Sequence, residues 1–292
     1  MKGLIFINPY LVPAQSVHQA QRLKEEFNKR KVDIDIISNG FTEVAIDGEN
    51  TYIDLKNIDF AVYLDKDKYL SQLLERANLR LFNSHNAVRV CDDKGQTYIE
   101  LSKKGVKFPK TIFGGLCYNK DLKIDLEWAK TIAKKLSYPI IVKESFGSQG
   151  KGVHKADNFD ELISIMEEVK CKPHLFQEYL GCKKGVDLRV IVIGGKAVAS
   201  MQRKNENDFR SNIGQGGKGY SKKLTAKEKE LAEKCANILG LDYCGVDIIY
   251  GENDTPYICE VNSNAFFDEI EKISGVNIAG EYADYIIKCI NK

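Results

Sequence analysis

The chain has 292 residues, with 43 Lys and Arg against 41 Asp and Glu, a formal net charge of +2, and 43% hydrophobic residues. This length accommodates two or three small domains, and the apolar fraction is ordinary for a globular protein. The near-neutral balance gives no case for a nucleic-acid or membrane partner, no run approaches the ~20 apolar residues of a membrane span, and basic runs such as Lys29-Arg30-Lys31 and Lys183-Lys184 read as solvated surface.

Residues 1–85 alternate strand and helix. Strands are expected at 2–8, 32–37 and 60–64, helices at 16–29 and 69–78, and Leu81-Phe82-Asn83 closes the series. The pattern predicts a small βαβ domain with a parallel sheet. The first apolar run is too short for a signal sequence and reads as a buried strand. Residues 86–104 read as one helix, with Gly105 at its C-terminus.

The next unit, 86–182, continues with a strand entered at Phe108-Pro109-Lys110-Thr111. A helix at 126–136, a strand around Ile140, a helix at 159–169 and a strand at 175–180 follow. Between two of these lies YPIIVKESFGSQGKGV, in which Lys143 ends a β-branched run. Gly147, Gly150 and Gly152 follow, with Ser148, Gln149 and Lys151 between them. A flexible glycine-rich loop lets backbone N–H groups close around phosphate oxygens. The spacing fits neither the P-loop nor the dinucleotide fingerprint, so an ordinary hairpin turn with exposed lysines is the plainer alternative.

The last unit, 183–292, opens with strands at 187–193 and 196–202 around Gly194-Gly195, a two-residue hairpin signal. A polar loop at 204–223 carries four glycines. A helix at 225–239 starts with Thr225 and Glu228 in capping-box spacing. Then comes YCGVDIIYGENDTPYICEVNSN, two apolar strands joined by Gly251-Glu252-Asn253-Asp254. Read with a symmetric turn, it sets Asp247 opposite Glu260, with Asn262 two residues on and on the same face. Facing carboxylates repel, and a hard divalent cation that takes oxygen ligands removes the conflict. A strand end with solvated acids is the alternative. Two helical segments finish the chain.

The eight cysteines show no CxxC spacing, and none of the four histidines lies near a cysteine pair in zinc-finger spacing. Scattered free thiols suggest a reducing cytoplasm. Cys244 and Cys259 fall in apolar strands and are expected to be small core residues.

The ordered set of strand lysine, glycine loop, QEYL, DLRV, Arg-Ser-Asn, GVDI and EVN resembles the ATP-grasp superfamily. Within it the chain is similar to the RimK-like α-L-glutamate ligases. The resemblance covers about residues 86–290, and the N-terminal domain more loosely. It implies an α/β (α+β) ATP-grasp fold: a pre-ATP-grasp domain (1–85), a central subdomain with the glycine loop (86–182) and a C-terminal subdomain with the metal site (183–292).

It also implies roles. Lys143 and Lys94 match lysines that contact nucleotide phosphates, with Gly147, Ser148 and Gly150 in the glycine loop beside them. Gln177, Glu178, Tyr179 and Leu180 match the segment whose backbone meets adenine. Asp187 matches a ribose-facing acid. Arg189 and Arg203 match the catalytic arginines near the phosphates and acyl group, and Arg210, Ser211 and Asn212 a nucleotide and substrate loop. Asp247, Glu260 and Asn262 match the ligands of magnesium, or of manganese in its place.

The implied activity is ATP-dependent formation of an amide through an acyl phosphate. Glutamate is one expected substrate, with a small molecule or peptide end as the other. Arg189, Arg203 and Arg210 are candidate partners for its carboxylates. A different amino acid, a thiol or hydroxyl acceptor, or a nucleotide-binding protein without turnover are the alternatives, and a homo-oligomer is left open. The sequence departs from the family after Asn262, where a small residue and proline would follow. Here Ser263-Asn264-Ala265-Phe266-Phe267-Asp268 stands near the expected substrate position. Phe266 and Phe267 are expected either to line the pocket or to turn into the core.

Overall fold

The computed structural model describes residues 1–10, 14–41, 44–53, 55 and 57–292. The first part comprises β1 (Lys2–Ile7), α1 (Ala14–Lys29), β2 (Asp33–Ser38), β3 (Val44–Asp47), β4 (Asn50–Ile53), β5 (Phe60–Tyr63), α2 (Lys68–Arg76) and β6 (Arg80–Phe82). Strands β2-β1-β5-β6 form a parallel sheet in that order, as the βαβ pattern predicts. Its strands are apolar because helices cover it; all four residues of β5 are buried. The hairpin β3–β4 was not expected, although Asp47-Gly48 between two β-rich runs is a turn signal.

The expected helix at 86–104 is two helices, α3 (His85–Asp92) and α4 (Lys94–Leu101). Asp93 breaks it. Its backbone is extended, and its carboxylate accepts from the N–H groups of Gly95 (2.8 Å) and Gln96 (3.2 Å). This second N-cap outcompetes helical continuity. It also places Lys94 at a buried helix start.

A second sheet, antiparallel in the order β7-β10-β8-β9, uses β7 (Thr111–Phe113), β8 (Ile140–Glu144), β9 (Val153–Ala156) and β10 (His174–Glu178). Helices α5 (Leu126–Leu136) and α6 (Phe159–Val169) pack on one face, where Ile140, Val142 and Ala156 share a core with Ile132 and Leu162. Period-two alternation sends Ile141 and Lys143 to the other face.

The third sheet is β13-β12-β11-β14-β15, from β11 (Val186–Ile193), β12 (Lys196–Lys204), β13 (Lys218–Ser221), β14 (Tyr243–Tyr250) and β15 (Pro256–Asn262). The loop expected at 204–223 therefore contains a short strand. Helices α7 (Ala226–Leu239), α8 (Asp268–Ser274) and α9 (Ile278–Ile290) complete the chain. One core joins Leu23 and Phe27 of α1 to Tyr282 and Ile286 of α9, so the first and third sheets are bound together through their helices. Among the described residues, no helix is long and apolar enough to cross a membrane.

The capping box on α7 carries a pH prediction. Glu228 accepts from Thr225 N–H (2.8 Å), Lys222 Nζ (2.7 Å) and the Tyr250 hydroxyl (2.7 Å). Burial works against its charge, but these donors win and hold its carboxyl at about 2, against a usual 4.5. A depressed folded pKa gives stability that is present above pH ~4.5 and lost as pH falls toward 2. A series of Tm values from pH 6 to 2.5 should show a smaller acid loss in Glu228→Gln than in wild type; equal losses would remove Glu228 as a cause.

Candidate active site

The open face of the second sheet and the end of the third enclose a cleft. Lys94, Lys143, Gly150, Gln177, Glu178, Tyr179, Leu180, Asp187, Arg210, Ser211, Asn212, Asp247 and Glu260 all line it. Thirteen of the eighteen site residues named from sequence thus meet on one wall or another. The adjoining floor is apolar, with Ile141, Val153 and Ile249.

Lys143 points into the cleft from β8 and is 6% exposed. Its ammonium lies 3.8 Å from Cys259 Sγ. Burial opposes its charge, while Cys259, Tyr98 and Glu260 act the other way and keep its pKa raised. Lys94 Nζ donates to the Gly147 carbonyl (2.8 Å) and lies 3.5 Å from Glu260 Oε1. One lysine thus ties α4, the glycine loop and β15 together. At the far end, Gln177 Nε2 donates to Thr111 Oγ1 (2.9 Å), and Lys110 N–H donates to Glu178 Oε1 (2.7 Å). No hydrogen bond uses the Tyr179 carbonyl or the Leu180 N–H among the described residues, which leaves both atoms available to a flat heterocycle.

Two loops close over this cleft. Arg210 Nη1 donates to the Gly150 carbonyl (3.2 Å) and Gln215 Nε2 to the Gln149 carbonyl (3.3 Å). Gly150 has φ +77°, and a Cβ there would approach Asn212 Oδ1 to 3.1 Å. Only glycine combines that backbone with so close a lid contact. Arg210 is itself held by Asp208 (2.8 Å).

The arginines pair with the acids in a cross-strand lattice. Asp187 stands opposite Arg203, and Arg189 opposite Asp247. Arg203 forks onto Asp187 and reaches Asp247 Oδ2 (2.8 Å). Arg189 Nε and Nη2 donate to the two oxygens of Asp247 (2.8 and 2.7 Å). Burial favours the neutral acid, yet Arg189 and Arg203 hold Asp247 well below the ordinary carboxylate range. None of the three arginines expected to meet a substrate carboxylate is therefore an unpaired cation; each already faces an aspartate.

Asp247 does pair with Glu260, and Gly245 with Asn262. A symmetric turn over 251–254, counted out, does not itself give the Asp247–Glu260 pair. A four-residue turn would have paired Tyr250 with Thr255 and set Asp247 opposite Ile258. Instead Tyr250 pairs with Pro256, and a bulge at Cys259 adds the remaining shift. The same bulge turns Cys259 toward Lys143, so Cys259 lines the cleft while Cys244 is in the core as expected.

The donor set fits a hard cation. Glu260 keeps a carboxylate edge toward the cleft, and Asn262 contributes an amide oxygen that already accepts from Asn264 N–H (2.9 Å). Asp247 has given three of its ~four lone-pair positions to guanidinium groups, which leaves one for a metal. The one cluster of three His or acidic groups close enough to share an ion, among the described residues, is Glu144, His154 and Glu168 on the helix-covered side of the second sheet. Lys172 Nζ already occupies Glu144 there (2.7 Å).

A second cleft adjoins the first across Asn212 and Glu260. Ser148, Arg189 and Asn262 face it, as do Asn8, Asp65, Lys66, Asn264 and Phe266. Of the named site residues, only Gly147 and Arg203 line neither cleft. Phe267 turns into the core and Phe266 lines the second cleft, so the adjacent aromatics divide. The pair read as solvated surface, Lys183 and Lys184, lines the first cleft; their place two residues beyond the QEYL segment was the available signal. Asp65 and Asn8 carried none, because only the parallel sheet brings them near.

A model of the RimK-like ATP-grasp domain matches residues 91–286. The β-citrylglutamate synthase B of Danio rerio is 33% identical over 231 residues, 78% of this chain and 56% of that protein. A probable alpha-L-glutamate ligase of Psychromonas ingrahamii is 32% identical over 293 residues, 94% of this chain and 92% of that one. A solved structure of the ATP-grasp ligase PsnB with minimal precursor, Mg and ADP superposes with a TM-score of 0.72 at 17% identity, covering 99% of this chain and 98% of the other. The fold is the ATP-grasp fold. The chain belongs to the RimK-like ATP-grasp family; it spans little more than half the length of the synthases it matches.

Proposed function

We propose that the protein is an ATP-dependent carboxylate–amine ligase that takes glutamate as one substrate. The observation that carries this is the placement of two buried lysines, Lys94 and Lys143, beside Glu260 and Asp247 across one lid-covered cleft. Cations for phosphate oxygens and carboxylates for a divalent metal are what phosphoryl transfer needs. Glutamate is favoured by the printed names of the relatives, and ATP with magnesium by the ligand set of the PsnB structure. On this reading residues 1–85, 86–182 and 183–292 are the three functional units, and the enzyme works in the cytoplasm.

A substrate carboxylate oxygen attacks the γ-phosphorus of ATP; the bond to the bridging oxygen breaks and ADP leaves. An amine then attacks the acyl carbon of the resulting acyl phosphate, loses a proton and expels phosphate. Lys143 and Lys94 hold the phosphates, and Arg203 and Arg189 keep Asp247 ionised and fixed. Asp247, Glu260 and Asn262 would hold magnesium, which when bound would offset charge on the transferring group. The 145–152 and 204–217 loops exclude water from the acyl phosphate.

A screen of the twenty amino acids, singly and in pairs, for ADP release tests the assignment. Glutamate should stimulate release. Silence of aspartate, glutamate and their analogues beside activity with an apolar or basic amino acid would remove glutamate. Separately, Lys143→Ala should weaken ATP binding by roughly 1.5–3 kcal/mol, the range of one charge-assisted contact. Unchanged affinity by calorimetry would take Lys143 out of the nucleotide site.

A further inference from the structure

The carboxyl ends of two strands of the first sheet, β1 and β5, reach the second cleft, where Asn8 and Asp65 line it. Asn8 follows β1, Asn39 follows β2, and Asp65 follows β5 by two residues. The sheet order β2-β1-β5-β6 reverses direction between β1 and β5. In open parallel sheets, ligands bind outside the carboxyl ends of the strands at such a reversal.

What stands there is a set of acceptors short of donors. Asp65 is 8% exposed and lines the cleft. It receives the Lys66 N–H (2.7 Å), Asn8 Nδ2 (3.2 and 3.3 Å to its two oxygens) and Asn39 Nδ2. All of these donors are neutral. The neighbouring ammonium, Lys66 Nζ, turns away to Asp92 at 2.7 Å. Among the described residues Asp65 has no ion-pair partner, an unusual state for a buried carboxylate. Two amide oxygens beside it are also unmet. Asn39 gives its Nδ2 to Asp65 and Asn264 gives its Nδ2 to the Leu64 carbonyl (2.8 Å). Among the described residues the Oδ1 atoms of both are buried with no donor; Asn264 lines the cleft, and Asn39 adjoins it through Asp65. Orphaned buried acceptors are rare, and a cluster of them calls for a donor from outside.

We infer that Asp65, with the Asn39 and Asn264 amide oxygens, forms a receptor for the ammonium group of the amino-acid substrate. An ammonium carries a full positive charge and three N–H donors with no acceptor, which complements one carboxylate and two amide oxygens. The inference rests on the ligase reading above and deepens it. The amino acid is held by its amine end on the first sheet, while Arg189 and Asn262 stand in the same cleft. The departure after Asn262 acquires a role, since Asn264 takes part in the receptor.

The test compares glutamate with glutarate, which has the same two carboxylates and no ammonium. With ATP and magnesium saturating, Asp65→Asn should raise the KM for glutamate about tenfold or more, the loss of one charge-assisted contact. Its kcat should stay within about threefold and its KM for ATP within about twofold. Glutarate should inhibit wild type and Asp65→Asn alike. Asn264→Ala, which leaves the Asp65 charge in place, should raise the glutamate KM about threefold. A purely structural Asp65 would shift the glutarate and ATP constants as well, and that result overturns the inference. So does a folded Asp65→Asn with an unaltered glutamate KM or, where that variant fails to fold, an unaltered KM in Asn264→Ala. If wild type ignores glutamate but turns over another amino acid, only the glutamate assignment fails. The same comparison with that amino acid and its desamino analogue then decides the receptor.

Discussion

Glu260→Gln is expected to lower ADP release by about 10²- to 10³-fold, the range for loss of one group that stabilises transferring charge. Its Tm should stay close to that of wild type. The side chain is 26% exposed, and its ionic contact is Lys94 at 3.5 Å. Partly solvated pairs of this length contribute little to folding. The exchange keeps the shape and removes the charge a metal would use. Turnover of Glu260→Gln near the wild-type rate at saturating magnesium would show that the β14–β15 hairpin does not hold the metal.

Arg203→Ala is expected to cost about 3–5 kcal/mol of stability, because it leaves buried carboxylates without their counter-charge. Arg203 is 3% exposed and touches both Asp187 and Asp247. Arg189→Ala should cost less. Asp247 would keep Arg203, and the Arg189 side chain is 15% exposed. In urea denaturation, Asp187→Asn placed on Arg203→Ala should recover part of the loss, since it removes the stranded charge. No recovery would mean that packing, and not charge, sets the cost.

Sequence periodicity exposed most strands of the three sheets, since their alternation and turns are local properties; β9 and β13, short and poor in apolar residues, were not marked by it. It located the Asp247–Glu260 pairing, but through the wrong geometry: the symmetric turn was replaced by a longer connection and a bulge at Cys259. Bulges leave no mark in composition. The break at Asp93 was hidden because an aspartate within a helical pattern reads the same whether it is solvated or caps a new helix. The arginine–aspartate lattice depends on which residues stand opposite across β11, β12 and β14, and no single strand reveals that. Asp65, Asn8 and Asn39 were invisible for a stronger reason. They come from three separate strand ends that only the parallel order β2-β1-β5 unites.

The most direct test of the central claim, amide formation through an acyl phosphate, is hydroxylamine trapping. Each carboxylate that stimulates ADP release is incubated with the protein, ATP, magnesium and hydroxylamine, and both products are counted. A hydroxamate should form in step with ADP and be cut sharply in Arg203→Lys, whose ammonium lacks the planar fork. ADP release with no hydroxamate from any stimulating carboxylate would contradict the claim.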